Sequence, residues 1–158
     1  RRGGSVRGKA SQRQRQWKET VDGLSEKTSD RELVALAADA RERAYAPYSG
    51  FAVGAALLGR SGRVYTGCNV ENASYPLTTC AERTALAKAV SEGERSFEAI
   101  AVITETGATP CGACRQILRE FGGPRGELRV LVADTQGNVR PFTIDELLPA
   151  GFTPDQLR

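Results

Sequence analysis

Apolar residues change their spacing from segment to segment along the chain, and each spacing predicts an element. Leu33, Leu36, Ala37, Ala40 and Ala44 recur at helical intervals behind Ser29 or Asp30 as a cap and ahead of Pro47, which predicts a packing helix. Residues 51–58 and 63–68 flank a Gly-Arg-Ser-Gly turn, short enough to join only neighbouring antiparallel strands. Residues 80–91 are rich in strong helix formers and are stopped by Gly93. The stretch 97–104, with Ile100, Val102 and Ile103, reads as a buried strand. A second helix over 111–121 ends at Gly122-Gly123-Pro124, and another strand follows at 128–133. Strand, helix, strand of this length is a crossover, so those two strands are expected to lie parallel. The last strand, 139–142, follows a short turn and must return antiparallel, and a helix at 144–148 closes the fold. The expectation is an α/β protein with a five-stranded mixed sheet and no internal repeat.

A chain of 158 residues with 40% hydrophobic content has room for one core, so one domain is expected over 29–158. Residues 1–28 are polar and read as an extension. Its Arg1, Arg2, Arg7, Lys9, Arg13, Arg15 and Lys18 all precede the first acid, Glu19, which leaves the remainder with more acidic than basic residues. Such an arm is expected to be solvated, with Trp17 packing locally and nucleic acid not the expected partner. No apolar run is long enough for a membrane span and no apolar leader opens the chain, so a soluble, cytoplasmic protein is expected.

The chain has no histidine. Histidine-containing zinc sites and Ser-His-Asp or Cys-His catalytic sets are thereby excluded, and any metal must sit on thiolates and carboxylates. Cys80-Ala81-Glu82 and, at a distance, Pro110-Cys111-Gly112-Ala113-Cys114 form the informative constellation. Cys111 and Cys114 fall on one face of a helix start and Cys80 opens another helix. The three thiolates Cys80, Cys111 and Cys114 would hold one zinc per chain, with a fourth tetrahedral position open for chemistry. Helix N-termini stabilise negative sulfur. Three thiolates overcompensate the zinc charge, so a cation is needed nearby, with Arg83 the first candidate and Arg115 the second. Glu82 lies about 200° from Cys80 on a helical wheel, poorly placed to ligate beside it and better placed to move protons. The competing arrangement is a closed site of four thiolates that recruits Cys68.

These motifs resemble the small homotetrameric zinc-dependent cytidine deaminases from Leu33 to Leu157. The matching segments are 44–58 (Ala-Tyr-Ala-Pro-Tyr-Ser-Gly-Phe and onward), 67–75 (Gly-Cys-Asn-Val-Glu-Asn-Ala-Ser-Tyr), 80–85 (Cys-Ala-Glu-Arg-Thr-Ala), 110–116 (Pro-Cys-Gly-Ala-Cys-Arg-Gln) and 146–149 (Glu-Leu-Leu-Pro). The resemblance implies a cytidine deaminase-like three-layer α/β/α fold. It also implies hydrolytic deamination of cytidine and deoxycytidine to uridine and deoxyuridine, in pyrimidine salvage. By the same resemblance Glu82 carries protons and Asn69 and Glu71 grip the sugar. Phe51 packs on the base, Ala81 offers a backbone contact, Tyr75 lies near the sugar, and Phe152 reaches a neighbouring subunit's site. Arg83 would hydrogen-bond the thiolates and offset their charge. Three rivals stand beside this reading: a deaminase acting on RNA or DNA, which tends to place a helix before the last strand, a deaminase of a nucleoside antibiotic, and a non-enzymatic zinc module with four cysteines.

Overall fold

A computed structural model describes residues 28–157. The basic extension expected over 1–28, Trp17 included, therefore lies outside the described residues except for Thr28. In chain order the elements are α1 (Asp30–Arg41), β1 (Gly54–Gly59), β2 (Val64–Cys68), α2 (Ala81–Ser91), β3 (Phe97–Ile103), α3 (Gly112–Glu120), β4 (Arg129–Ala133), β5 (Val139–Thr143) and α4 (Ile144–Leu147). Short 3-10 turns lie at Tyr75–Leu77 and Pro154–Leu157.

The five strands form one mixed sheet in the order β2-β1-β3-β4-β5. β1 pairs antiparallel with β2 and β3, β3 runs parallel to β4, and β5 returns antiparallel with Pro141 opposite Leu131. The hairpin, the parallel crossover and the antiparallel last strand match the sequence expectations. Burial with period two on both faces follows directly from strand geometry. Leu57, Ile100, Val102, Val130 and Val132 pack with Ala85, Leu86, Ala89 and Leu118 of α2 and α3. The alternate positions Ala56, Leu58, Ala99, Ala101, Leu131 and Ala133 pack with Leu33 and Ala37 of α1. The result is three layers, with α1 on one face and α2, α3 on the other.

Small residues set how closely the helices seat. A Cβ on Gly54 would stand 2.0 Å from the Ala37 carbonyl oxygen of α1, and one on Gly67 would stand 2.5 Å from the Ala85 nitrogen and 2.6 Å from the Ala81 oxygen of α2. Ser29 is the cap of α1, in a capping box with Glu32. The helix ends at Arg41, earlier than the apolar spacing through Ala44 suggested, because Tyr45 leaves to pair with the segment after β2: Tyr45 N–H donates to Asn69 O at 3.0 Å and Glu71 N–H to Tyr45 O at 2.8 Å. Residues 51–53 likewise stand outside β1, held by the Asn69 side chain instead of by a ladder.

Gly54 lies opposite both Cys68 and Ile103 in the sheet register. The segments 45–53, 69–79 and 104–111 therefore all leave from one rim, and the N-termini of α2 and α3 open onto it. Among the described residues, no helix is long and apolar enough to cross a membrane.

Because Gly67 has no space for a side chain, Gly67→Ala must lift α2 from the sheet. Overpacking of this kind costs about 1–3 kcal/mol. A lowered midpoint in a thermal melt is expected, and an unchanged midpoint would show that α2 is not seated this closely.

Candidate metal centre and active site

Cys80 is the N-cap of α2 and Cys111 the N-cap of α3, and neither sulfur caps its own helix. Cys114 lies one turn into α3, fully buried. Their three sulfurs fall within 4.8 Å of one another. Sulfurs bound at about 2.3 Å to a tetrahedral zinc stand roughly 3.8 Å apart, so this donor set fits the metal after a small contraction. Cys68 is not part of the cluster: its thiol donates to the Arg43 carbonyl at 3.2 Å. The closed four-thiolate arrangement is therefore absent among the described residues.

Hydrogen bonding from Cys114 holds the Cys80 thiol down at about 6, with Cys111 and the Arg83 charge adding to the effect against burial. Cys114 moves the other way, pushed up by its bond to Cys80 and by burial. Cys80 is thus the thiol of the pair that ionises more readily, and ligands still protonated give up protons as metal binds. Glu82, 4% exposed, follows Cys80 by two positions. Burial raises its carboxyl above the ordinary value and the Cys80 charge adds to the rise, while its own N–H, Cys114 and Arg83 oppose it. A carboxyl whose proton affinity is raised in this way is suited to giving and taking a proton in turn.

The two arginines divide their work. Arg83 acts on Cys80 through its charge. Arg115 is used elsewhere, its guanidinium donating to Pro110 O at 2.7 Å, Thr109 Oγ1 at 2.7 Å and Leu147 O at 2.9 Å. It fixes the approach to Cys111 and ties it to the end of α4. Thr104 braces the same loop, its hydroxyl accepting from Ala108 N–H at 2.8 Å.

A cavity of about 250 Å³ opens beside the cluster. Cys80, Cys111 and Glu82 line it together with Phe51, Asn69, Glu71, Ser49 and Thr78. A second cavity of about 220 Å³, walled by Tyr48, Ser49, Glu71, Tyr75 and Thr78, shares three of those residues, so the two meet at Glu71. A larger cavity of about 660 Å³, between α1 and the β4–β5 turn, contains no cysteine.

Of the residues expected from sequence, the structure brings together the three cysteines, Glu82, Phe51, Asn69 and Glu71, with Tyr75 on the adjoining cavity. Asn69 and Glu71 are already employed. The Asn69 amide accepts from Val53 N–H at 2.9 Å and donates to Phe51 O at 2.8 Å. Glu71 accepts from Tyr48 N–H at 2.9 Å, Ser49 N–H at 3.3 Å and the Ser49 hydroxyl, which hold its carboxyl below the ordinary value. Ala81 is fully buried at the first position of α2 and lines neither cavity. Phe152 lies outside both, 53% exposed, its carbonyl accepting from Gln116 Nε2 at 2.9 Å. Ser49, Thr78 and Thr109 line the inner cavity without having been singled out from sequence. Ser49 sits inside the quoted segment 44–58, but nothing in its spacing marks it.

The family model described as the cytidine and deoxycytidylate deaminase zinc-binding region matches residues 27–127. A cytidine deaminase of Sporosarcina psychrophila is 50% identical over 127 residues, covering 79% of this chain and 92% of that protein. The crystal structure of cytidine deaminase from Burkholderia pseudomallei is 52% identical with a TM-score of 0.75, over 78% of this chain and 99% of that one. The cytidine deaminase structure from Mycobacterium tuberculosis is 44% identical, TM-score 0.69, over 78% and 98% of the two chains.

Cys114→Ala removes the buried ligand and is expected to abolish zinc binding, read by elemental analysis of the purified protein. Cys68→Ala is expected to keep the full zinc content. Equal loss in both would put a fourth thiolate on the metal.

Proposed function

The chain belongs to the cytidine and deoxycytidylate deaminase family, a zinc-binding family, and from that premise we propose that it hydrolyses cytidine and deoxycytidine to uridine and deoxyuridine with release of ammonia. The observation that carries the reading is Glu82: a buried carboxyl with a raised proton affinity, in the wall of a small cavity lined also by Cys80 and Cys111 of the three convergent sulfurs. A zinc-binding scaffold with no catalytic task has no use for it.

Cys80, Cys111 and Cys114 hold the zinc, which when bound supplies the Lewis acidity that makes a water nucleophilic near neutral pH. Glu82 would take a proton from the attacking water, deliver one to the ring N3 as C4 is attacked, and carry one to the departing amine. The balance is cytidine plus water to uridine plus ammonia. Arg83 offsets the excess negative charge of the thiolates. Phe51, in the wall of the cavity, packs on the pyrimidine. The sugar extends to the junction of the two cavities, where Asn69 and Glu71 read its 3′-hydroxyl and Tyr75 flanks it. A cavity of about 250 Å³ suits a free nucleoside over a polynucleotide strand. The antiparallel β4–β5 turn also lacks the helix expected of nucleic-acid deaminases.

Residues 29–158 constitute the deaminase domain in this reading, with the basic extension given no role. The chain works as a homotetramer in which Phe152, exposed and outside its own cavities, reaches a neighbour's site. Salvage of pyrimidines in the cytoplasm completes the assignment.

Ultraviolet absorbance with cytidine, run beside CMP and single-stranded RNA, tests the substrate. Conversion of cytidine alone is expected, and zinc-loaded protein that leaves cytidine untouched would redirect the reading to another amine. Glu82→Ala is expected to keep zinc and lose turnover by roughly 10²–10⁴-fold, the range for a positioned acid–base group. Near-normal turnover in that variant would remove Glu82 from the mechanism.

A further inference from the structure

Two groups that face the nucleoside in this reading, Glu71 and Phe51, come from separate segments, and a single hydroxyl joins them. Ser49 Oγ donates to Glu71 Oε1 and accepts from Phe51 N–H at 3.0 Å. The other carboxylate oxygen, Oε2, accepts from Tyr48 N–H at 2.9 Å and Ser49 N–H at 3.3 Å. A carboxylate offers about four lone-pair sites. Three are engaged by the 48–49 segment, which leaves one, and Glu71 lines both cavities.

We propose that Ser49 is a positioning residue for sugar recognition: its hydroxyl orients Glu71 toward the nucleoside 3′-hydroxyl and couples that orientation to the backbone that carries Phe51. The proposal rests on the reading of Glu71 as the sugar-binding group. Without the hydroxyl, Oε1 has no anchor among the described residues, and the terminal carboxylate torsion is intrinsically soft. The carboxylate then swings about its Oε2 contacts and meets the 3′-hydroxyl in one orientation among several. Ser49 touches none of the reacting atoms in this scheme, so its removal burdens binding more than the chemical step.

The test compares Ser49→Ala, Ser49→Thr and Glu71→Ala with cytidine and with 3′-deoxycytidine, zinc content being measured on each protein. For Ser49→Ala, KM for cytidine is expected to rise about tenfold, the scale of one hydrogen bond to a charged group. The loss should fall on KM more than on kcat, and 3′-deoxycytidine should lose much less, so that discrimination between the two substrates shrinks. Ser49→Thr restores the hydroxyl and should restore discrimination, and Ser49→Ala added to Glu71→Ala should change it no further. Equal losses on both substrates, or a loss confined to kcat, would make Ser49 merely structural and overturn the proposal. If Glu71→Ala abolishes discrimination while Ser49→Ala leaves it intact, the proposal fails and the reading of Glu71 stands. If Glu71→Ala itself leaves discrimination intact, the sugar-binding role of Glu71 fails first and takes the proposal with it.

Discussion

Mutual repulsion among three negative sulfurs is the constraint on which the site depends. Like charges this close cannot all ionise unaided. The fold answers with position: two sulfurs sit at helix N-caps and the third one turn inside, where peptide N–H groups and the helix dipole favour negative charge. Before metal binds, Cys80 and Cys114 share the burden unequally, one depressed and one raised. Zinc replaces the protons that make this possible. Glu82 is confined to the same neighbourhood, so its raised proton affinity comes from the burial that packs α2 against the sheet and from the charge on Cys80.

Placing the two helix starts together is the task of the sheet. Gly54, Cys68 and Ile103 are level in the register, so the loops that follow or precede them share one rim. Those loops are secured by backbone pairing of Tyr45 with Asn69 and Glu71 and of Val70 with Thr79, and by side chains bonding to backbone. Asn69 holds 51–53, Glu71 holds 48–49, Thr104 holds Ala108, and Arg115 holds Pro110 and Leu147. The cavity walls are built from the same groups that make these contacts, which joins site geometry to loop stability.

Much of this was legible in the sequence where the determinant is local. The Cys-x-Glu and Cys-x-x-Cys spacings place ligands at helix starts, short apolar runs mark β3 and β4 as buried strands, and the Gly-Arg-Ser-Gly turn forces a hairpin. The less legible features depend on segments remote in sequence. The apolar spacing through Ala44 continues α1 on paper, but pairing of Tyr45 with Asn69 and Glu71 ends the helix at Arg41. Arg115 follows a ligand and so read as a second charge-balancing group, yet carbonyls at Pro110 and Leu147 claim it. Ser49 carries no periodic or motif signal, because its importance arises only when Glu71 folds onto it.

The outer strand of the sheet bears on how such chains can assemble. β5 is an edge, and Pro141 stands within its ladder opposite Leu131. Proline is accommodated in an edge strand where its nitrogen faces away from the neighbour. The outward rim of β5 accordingly lacks a donor at mid-length, and an incoming strand would leave a carbonyl unmatched. Arg140 beside it puts a charged residue in the same edge strand, its guanidinium donating to Gly107 O at 2.6 Å. Both are recognised protections against edge-to-edge growth. Growth by continuing the sheet at β5 is thereby disfavoured, so that the open edge of a five-stranded sheet does not invite a second copy to add a sixth strand.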